Sequence, residues 1–504
     1  MKELPLITRA RTHGDRIAVH SDNKDTSYTC LLAASARLAA SLLGETKDLA
    51  EARIAFMAPA GFDYFAIQWA IWRAGAVAVP LSSSATEPEL EHVLTDSQAS
   101  RVIAVSAHAA KLAPLCDRLG VSLISPVGME SSSPRELPEI DPARRAMILY
   151  TSGTTSKPKG VVTTHATIQA QIEALVIAWE WTAADRIPLF LPMHHVHGII
   201  NIGACALWSG ATIEAFPKFE MAAVLDRVAA GAFTVFMAVP TIYVKLIEAL
   251  ESGDFHGPLG KGVRDGFGRM RLMVSGSAAL PPSVHETWHA LTGQSLLERY
   301  GMTETGMMIS NPYHGERRQG SVGLPLPAVE IRLKSETGEI ITGEDEPGEI
   351  QAKGPSIFHE YWNRPEITAK SFDDGWFRTG DMAVLENGYY RIMGRLSSDI
   401  IKSGGYKLSA LEIEATLLEH PAIRECAVVG VKDDTWGEAV GVAVALVDGS
   451  VGLDLAELRS WARERLSPYK LPSRLAVVES LPRNAMGKVT KAAIGPLLEA
   501  PAKG

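Results

Sequence analysis

The sequence is poor in several features that define whole classes of protein. Only four of its 504 residues are cysteine, and no two of them form a Cys-x-x-Cys pair, which argues against a disulfide framework and against a zinc site. The apolar stretch 199–208 is interrupted by Asn and Gly, and it falls well below the roughly 20 residues that span a bilayer. The N-terminal stretch MKELPLITRARTHGDRIAVH lacks the apolar segment of a signal peptide. We therefore expect a cytoplasmic protein without a transmembrane segment.

Positive charge is also in deficit. Lysine and arginine number 49 against 58 aspartates and glutamates, which gives a formal net charge of −9. Such a field repels polyanions, so nucleic acid is not expected as a partner. The remaining composition, with 46% hydrophobic and 21% charged residues, is that of a globular protein. Since 504 residues exceed what one hydrophobic core accommodates, we expect two or more domains.

Short apolar runs alternate with helical patterns between residues 50 and 240. The runs at 53–57, 76–79, 101–105 and 121–124 are typical of strands in a doubly wound, mostly parallel sheet. Ligands of such sheets bind at the ends of the strands. The fold class predicted for this part of the chain is therefore α/β.

The following region is predicted to be richer in β structure. The stretch 343–354 carries Gly, Pro and charge, which marks loops. Asn387-Gly388 lies between two apolar runs and predicts a hairpin over 382–393. The polar, glycine-rich stretch 396–407 then has the composition of a linker between domains.

The last part of the chain is predicted to form a small α+β domain. It has strand-like runs at 427–431 and 440–447, and a helix is predicted to begin at Asp454, with Glu457 at capping-box spacing and an apolar face that reaches Leu466. The predicted division is a large domain over residues 1–395, a hinge over 396–400, and a small mobile C-terminal lid over 401–504.

Residues 150–161, YTSGTTSKPKGV, form a loop that suits phosphate. The loop offers Ser and Thr hydroxyls, glycine backbone and two lysines, which are groups that bind phosphate oxygens. It is not a Walker loop, because no Gly-Lys-Ser/Thr follows Gly153 at the required spacing. Its composition alone allows either a polyphosphate site or a solvated Ser/Thr loop.

Six motifs in a fixed order favour the first interpretation. They read YTSGTTSKPKG (150–160), PMHHVHG (192–198), ERYGMTET (298–305), TGD (379–381), GRLSSDIIKSGGYKLSALEIE (394–414) and PRNAMGK (482–488). In these motifs the chain resembles the adenylate-forming superfamily of acyl-CoA synthetases, luciferases and peptide-synthetase adenylation domains over essentially its whole length. The resemblance implies that an acid and Mg·ATP form an acyl-adenylate, whose acyl group then passes to coenzyme A.

The resemblance also implies roles for residues at the nucleotide. The residues expected to surround the β- and γ-phosphates are Thr151, Ser152, Gly153, Thr154, Thr155 and Lys159. Thr303 would contact the α-phosphate, and Glu304 with Thr155 would hold Mg²⁺, a hard cation that prefers oxygen ligands. Asp381 and Arg395 would bind the ribose, and Tyr300 would stack on adenine. The nucleotide site would be completed by Ser277, Ala278, Glu298 and Gly301.

The small domain would supply the remaining chemistry. In relatives, the lysine equivalent to Lys488 reaches both the attacking carboxylate and the α-phosphate, where a cation neutralises charge gathered in the transition state. Gly404, Gly405 and Tyr406 would line the pantetheine tunnel after the small domain rotates.

Two positions depart from the usual pattern. Most relatives have Gly where Ser156 stands, so the phosphate loop is expected to have less backbone freedom here. The usual hinge residue shortly after Gly-Arg is displaced, which leaves Ser397, Ser398 and Asp399 as alternatives for the pivot.

Three histidines lie close together in PMHHVHG. His194, His195 and His197 resemble a metal cluster, but no further ligands of matched type are evident nearby. We expect His195 and His197 to line the acid pocket, with His195 also among the catalytic residues. The alternative is that they are buried, hydrogen-bonded histidines.

Arg299 indicates the acid. Relatives that activate fatty or aromatic acids usually have a small or neutral residue at this position, and a guanidinium beside an acyl pocket costs much desolvation energy unless an anion meets it. Together with the stretches 236–243 and 272–280, Arg299 makes the chain resemble malonyl-CoA synthetases, and closely their mitochondrial-type branch. His195, His197, Ser275 and Ser277 would add donors, and Met307 would shorten the pocket.

Alternatives remain for both the residue and the function. Arg299 could instead form an ion pair with Glu298 or Glu304. The acid could be methylmalonate or another short- or medium-chain acid, since a methyl group gives only about 1 to 3 kcal/mol of discrimination. A more distant alternative is a nucleotide-binding protein without catalytic activity.

Overall fold

The structure is a computed structural model of the chain. It describes residues 3–21, 23–127, 135–151, 158–251, 258–403, 406–433, 436–448, 450, 452–483 and 489–499. Among these residues, no helix is long and apolar enough to cross a membrane.

The helices of the described residues lie mostly in the first three hundred positions. The α-helices are α1 Pro5–Arg11, α2 Tyr28–Leu43, α3 Phe62–Arg73, α4 Glu87–Ser97, α5 Ser106–Leu119, α6 His165–Ala178, α7 Cys205–Ser209, α8 Met221–Ala229, α9 Pro240–Glu251, α10 Pro258–Gly268, α11 Pro282–Thr292, α12 Pro365–Lys370, α13 Ala410–Leu417, α14 Leu455–Ala462 and α15 Gly495–Glu499. A π-helix spans His197–Ala204, and 3₁₀ turns span Pro468–Lys470 and Lys491–Ala493.

The strands run along the whole chain. They are β1 Ile17–Ser21, β2 Lys24–Ser27, β3 Arg53–Met57, β4 Val77–Pro80, β5 Arg101–Ala104, β6 Ser122–Ile124, β7 Arg145–Thr151, β8 Lys159–Thr164, β9 Arg186–Leu189, β10 Thr212–Ala215, β11 Val235–Ala238, β12 Leu272–Ser275, β13 Leu297–Met302, β14 Gly306–Ser310, β15 Leu324–Pro325, β16 Glu330–Lys334, β17 Ile340–Ile341, β18 Gly348–Lys353, β19 Glu360–Tyr361, β20 Phe372–Asp373, β21 Trp376–Glu386, β22 Tyr389–Arg395, β23 Ile400–Ser403, β24 Tyr406–Ser409, β25 Ile423–Asp433, β26 Gly437–Leu446 and β27 Arg474–Val478.

The first four predicted strands lie side by side in one sheet. Its order is β19-β8-β7-β4-β3-β5-β6, and the pairs from β7 to β6 are parallel. Strand β3 shows why the runs are continuously apolar. Ile54 and Phe56 enter one core while Ala55 and Met57 enter another, and all four are at most 1% exposed. Parallel strands are buried on both faces, so the prediction of a doubly wound α/β sheet is confirmed.

Two further sheets complete the large part of the chain. One has the order β2-β1-β10-β9, and the other has the order β11-β12-β13-β14-β15. In the second, β11, β12 and β13 are parallel, and β13 turns back into β14 as an antiparallel hairpin. The carboxyl end of β12 and the β13–β14 hairpin carry the SGSA and RYGMTE stretches that the sequence singled out.

The predicted hairpin at Asn387-Gly388 forms the end of the β-rich part. Strands β21 and β22 pair antiparallel, and Asn387 and Gly388 both have positive φ, of 49° and 79°. This backbone is that of a two-residue turn in which both central residues are left-handed. The hairpin brings Asp381 on β21 opposite Arg395 on β22.

The C-terminal region has apolar clusters of its own. One includes Ile413, Val442 and Leu458, and a second, on the other face of the sheet, includes Val429 and Leu498. Helix α14 begins after Asp454, whose carboxylate accepts the Glu457 amide at 2.8 Å.

The predicted extension of that helical face to Leu466 is wrong, because the helix ends at Ala462. Leu466 is nevertheless buried, with only 7% of its surface exposed, because the chain after the helix folds back into the same core.

The predicted hinge packs against the large part of the chain. Leu396 and Ile400 join an apolar cluster with Met382, Val384 and Met393 of the β21–β22 hairpin. The boundaries 1–395, 396–400 and 401–504 stay predictions.

Candidate active site

Asp381 and Arg395 hold each other in a fixed geometry. Arg395 donates from Nε and Nη2 to the two carboxylate oxygens of Asp381, at 2.9 and 3.1 Å. The Tyr300 hydroxyl on β13 donates to Asp381 Oδ2 at 2.5 Å. Burial raises the pKa of the Tyr300 phenol well above its ordinary value, and the Asp381 carboxylate adds to the shift, so the hydroxyl keeps its proton. The structure thus brings these three predicted nucleotide residues together, while the stacking of Tyr300 on adenine stays a prediction.

Glu304 lies beside them in the turn of the β13–β14 hairpin. It is 6% exposed, and the Tyr361 hydroxyl on β19 donates to its Oε1 at 2.8 Å. Burial raises the pKa of Glu304, while Tyr361, Arg395 and Lys159 act in the opposite direction. The Lys159 ammonium lies 4.7 Å from the centre of the Tyr361 ring. Lys159 and Arg395 therefore flank one buried carboxylate, as a site for a polyphosphate and its counter-cation requires.

The predicted phosphate loop is described only at its edges. Thr151 ends β7 and pairs with Lys159 of β8 across the loop. Ser152, Gly153, Thr154, Thr155 and Ser156 lie outside the described residues. Thr303 lies in the turn next to Glu304, half-buried.

The residues present fit a magnesium ion that is shared with a substrate. No group of three or more His, Cys, Asp or Glu side chains among the described residues could hold a metal alone. Magnesium usually takes only one or two carboxylates and completes its shell with phosphate oxygens and water. A single buried carboxylate at Glu304 matches that donor set.

Arg299 is a buried cation for which the described residues supply no counter-anion. It is 4% exposed, and its Nε has no hydrogen-bond partner among those residues. Among the described residues, no carboxylate lies within ion-pair distance of it, and burial lowers the pKa of Arg299 to about 10, which still leaves it charged near neutral pH. The alternative ion pair with Glu298 or Glu304 is therefore not formed. Because an unpaired buried charge is costly, the arrangement suits an anionic ligand.

Glu298 and Glu304 have other partners. Glu298 accepts the Gly320 amide at 3.0 Å and lies 3.7 Å from His285, whereas Glu304 binds Tyr361. The Glu298 carboxylate thus has partners inside the protein, and its role at the nucleotide stays a prediction.

His197 and Ser277 connect to Arg299. Arg299 Nη2 lies 3.5 Å from Ser277 Oγ, which lies 3.4 Å from His197 Nδ1. Burial lowers the pKa of His197 well below its ordinary value, and the charge of Arg299 adds to the shift, so this imidazole is neutral. Its Nε2 is buried and has no hydrogen-bond partner in the part of the chain that the structure describes.

The contacts of Ser277 are compatible with a tautomer of His197 that carries its hydrogen on Nε2. A guanidinium can only donate, so the Ser277 oxygen accepts from Arg299, and its own hydrogen is available for donation to His197 Nδ1. A neutral imidazole that accepts at Nδ1 carries its hydrogen on Nε2. Arg299 and His197 then both present unused N–H donors.

His194 and His195 do not form a metal-binding group with His197 in the described part of the chain. The rings of His194 and His195 lie 4.1 Å apart, and burial lowers the pKa of His194 to about 4. Both are half-buried on the turn before the π-helix.

Among the other predicted residues, Ser275 faces away from Arg299. Ser275 pairs with Glu298 in the parallel β12–β13 ladder, and side chains alternate along a strand, so Ser275 points to the face opposite Arg299. Met307 is 1% exposed within the main apolar core. Gly301 is confined by the hairpin itself, since a Cβ there would lie 2.1 Å from Gly306 O. Ala278 is exposed beside Ser277.

The residues predicted to meet coenzyme A are described only in part. Tyr406 is 56% exposed and its ring stacks on Tyr469, with centroids 4.6 Å apart and planes 6° apart. Gly404, Gly405 and the predicted catalytic Lys488 lie outside the described residues.

Sequence reasoning missed three residues. Tyr361 donates to Glu304, and Tyr243 lies near Arg299 and raises its pKa. Asn201 is fully buried, and neither of its amide atoms has a hydrogen-bond partner within the described ranges. Asn201 lies one π-helical turn after His197, on nearly the same helix face. Tyr361 and Asn201 stand in no quoted motif, and Tyr243 ends the stretch 236–243 without having been singled out. The contacts of Tyr361 and Tyr243 depend on distant chain segments.

Comparison with known proteins agrees with this geometry. The family model described as AMP-binding enzyme matches residues 6–362, and its C-terminal domain model matches 412–488. The mitochondrial malonate–CoA ligase of Mus musculus is 44% identical, with 97% of this chain and 89% of the relative covered.

Two solved structures are similar over almost the whole chain. ATP-bound MatB from Rhodopseudomonas palustris is 32% identical with a TM-score of 0.87, covering 98% of this chain and 99% of the other. A malonyl-CoA ligase product complex with methylmalonyl-CoA and AMP is 35% identical with a TM-score of 0.70, covering 95% and 100%. The chain belongs to the AMP-binding enzyme family.

Proposed function

We propose that this chain is an AMP-forming acid–CoA ligase whose preferred acid is malonate. The observation that carries the proposal is Arg299, a buried guanidinium that no carboxylate of the described residues meets. Malonate has one carboxylate to activate and a second that needs a cation. A ligand that brings the missing anion restores the balance of charge in the pocket.

The nucleotide half of the proposal rests on groups that are already oriented. Asp381, fixed by Arg395 and Tyr300, offers acceptor oxygens to the ribose hydroxyls of ATP. Lys159 lies near Glu304, and its ammonium would supply a positive charge to the polyphosphate of ATP. Mg²⁺ would be held by Glu304, with the predicted Thr155, and would neutralise charge on the phosphates.

In the proposed first step, an oxygen of the malonate carboxylate attacks the α-phosphorus of ATP. A P–O bond to the acyl oxygen forms, the bond to the β-phosphate breaks, and pyrophosphate leaves. Arg299 and His197 hold the unreacting carboxylate by charge and by N–H donation, which orients the other end. Lys488 is proposed to neutralise the charge that gathers on the α-phosphate.

In the second step, the thiolate of coenzyme A attacks the carbonyl carbon of malonyl-AMP. The C–S bond forms, the C–O bond to the phosphate breaks, and AMP leaves with the electron pair. Gly404, Gly405 and Tyr406 are proposed to admit the pantetheine arm. No covalent enzyme intermediate is required by this sequence of bonds.

The identity of the acid has support from relatives. Relatives of animals and of Arabidopsis thaliana carry the name malonate–CoA ligase. Methylmalonate is the second candidate, because one similar structure contains methylmalonyl-CoA. A methyl group changes affinity by only about 1 to 3 kcal/mol, so both acids are expected to react at different rates.

The compartment is a separate proposal. The cytoplasmic location expected from the sequence stays a prediction, while the animal relatives are named mitochondrial. Imaging of the chain in its own cells, tagged at its C-terminus, distinguishes the two.

A panel of acids tests the proposed function. The purified chain is mixed with Mg·ATP, coenzyme A and malonate, methylmalonate, succinate, propionate or butyrate, and AMP and thioester are measured. We expect malonate to give the highest kcat/KM and AMP formation to need both acid and CoA. A higher value for a neutral acid would overturn the choice of malonate. Absence of acid-dependent pyrophosphate release would instead favour a nucleotide-binding protein without activity.

A further inference from the structure

A buried ion cluster lies outside the site described above. The ammonium of Lys491 lies 2.7 Å from Asp399 Oδ1 and 2.7 Å from Glu414 Oε1. The three side chains are only 14% to 16% exposed. Burial alone would lower the pKa of Lys491, but Glu414 and Asp399 raise it above its ordinary value. One lysine therefore stays charged between two carboxylates.

Asp399 ties this cluster to the nucleotide site. Its Oδ2 accepts the backbone N–H of Arg395 at 2.9 Å, and Arg395 is the residue whose guanidinium holds Asp381. Its backbone oxygen accepts the Ala410 amide at 2.8 Å, at the start of α13. Of the three candidates for the pivot, Asp399 is thus the one whose carboxylate joins the β21–β22 hairpin to Lys491.

Glu414 ties the cluster to the body of the small domain. It lies on α13, and its Oε1 accepts the Val428 amide of β25 at 2.8 Å. Burial raises the pKa of Glu414, and Lys491 opposes that shift. Without the lysine, two carboxylates would face each other in a poorly solvated space, which is unfavourable.

The chain position of Lys491 gives the cluster a functional meaning. Arg483 and Val489 pair as an isolated β-bridge, and Lys491 begins the 3₁₀ turn that follows it. The predicted catalytic Lys488 stands three positions before Lys491 in the sequence. The contact of Lys491 with Asp399 therefore links the chain just after Lys488 to Arg395 and, through Arg395, to Asp381.

We propose that Lys491 is a positioning residue for the adenylation step, which it serves by clamping Asp399 and Glu414 so that the small domain and the nucleotide site keep one relative orientation. The inference rests on the proposed function. It assigns Lys491 no contact with substrate. In this proposal, the orientation that Lys491 holds serves the step in which the acid meets the α-phosphate, so acyl transfer to CoA should depend on Lys491 much less.

The test compares Lys491→Met and Lys491→Arg in the full chain. Pyrophosphate release with malonate measures adenylation, and CoA consumption with synthetic malonyl-AMP measures transfer. Lys491→Met should slow adenylation at least roughly tenfold, the usual scale for a lost orienting contact, and change transfer by less than about threefold. Lys491→Arg keeps the charge and should restore most of the adenylation rate.

Lys470→Met is the matched control. Lys470 also pairs with a carboxylate of α13, Glu412, but does not touch the hinge. In Lys470→Met, the rates of adenylation and of transfer should both stay within about twofold of those of the unsubstituted chain. Equal slowing of both half-reactions in Lys491→Met, with unfolding unchanged, would overturn the proposal, as would no slowing at all.

Two further measurements keep the inference testable. If Lys491→Met fails to fold, the triple variant Asp399→Asn, Glu414→Gln, Lys491→Met removes all three charges together, and it should fold and still adenylate slowly. Hydrogen exchange of the Arg395 amide is independent of any substrate. It should become faster in Lys491→Met and not in Lys470→Met, and unchanged exchange would overturn the clamp even if the proposed function itself failed.

Discussion

The guanidinium of Arg299 lies directly against Gly276, where a Cβ would stand 2.5 Å from the guanidinium carbon. The obstacle is the far end of a flexible side chain, so a methyl group should displace the guanidinium and leave the fold intact. We expect Gly276→Ala to lower kcat/KM for malonate roughly tenfold while the melting temperature changes little. Gly262→Ala is the control, since a Cβ there meets only Ala229 Cβ at 3.5 Å. An unchanged kcat/KM would show that the position of Arg299 is not critical.

Arg299→Leu should change the preference among acids. A charge-assisted pair contributes on the order of 1.5 to 3 kcal/mol, so malonate efficiency should fall at least roughly tenfold. Propionate and butyrate should gain relative to malonate, because the pocket no longer holds an unpaired cation. Arg299→Lys keeps the charge but loses the planar guanidinium, so its malonate efficiency should lie between those of the unsubstituted chain and Arg299→Leu. Equal loss for malonate and butyrate would mean that Arg299 is structural.

Tyr361→Phe should move the acidic limb of the adenylation pH profile to higher pH. Burial raises the pKa of Glu304 and the Tyr361 hydroxyl lowers it, so removal of the hydroxyl lets the pKa of Glu304 rise further. The carboxylate then ionises, and can hold Mg²⁺, only at higher pH. Tyr64→Phe is the control, because the buried hydroxyl of Tyr64 has no hydrogen-bond partner among the residues that the structure describes. A limb that stays in place or moves to lower pH contradicts the assignment of Glu304.

Lys488→Ala should abolish adenylation and leave transfer from supplied malonyl-AMP to CoA largely intact. The physical reason is that its charge acts at the α-phosphorus, which takes no part in the second step. Each half-reaction is measured separately, and Lys432→Ala, an exposed lysine of the same domain, serves as the control. Loss of both half-reactions by the same factor would refute this division of labour.

Gly405→Leu should have the opposite effect. A side chain at this position would obstruct the pantetheine arm, so acyl-AMP should still form while thioester formation stops. The control is Gly452→Leu, at a glycine where a Cβ would meet no atom within 4 Å. Normal turnover of Gly405→Leu would show that this loop does not line the tunnel.

Local patterns predicted much of the fold. The apolar runs predicted parallel strands correctly, because a strand that is buried on both faces is a nearly continuous apolar run. Ile54 and Ala55 show this, since they enter cores on opposite sides of one sheet. Asn387-Gly388 predicted its hairpin because those two residues tolerate the left-handed backbone of the turn. The end of α14 was missed, because Leu466 is buried by the fold of the chain after the helix.

By itself, the sequence determined the elements, the motifs and the chemical types of the site residues, since these depend on neighbours along the chain. The tertiary structure alone decided which of them meet. Tyr361 reaches Glu304 over 57 positions, Ser277 reaches His197 over 80, and strand alternation turns Ser275 away from Arg299. Such contacts depend on how sheets and domains pack, which no local pattern specifies. That no carboxylate of the described residues reaches Arg299 is also a property of the fold, because only packing decides which carboxylates a buried cation can meet.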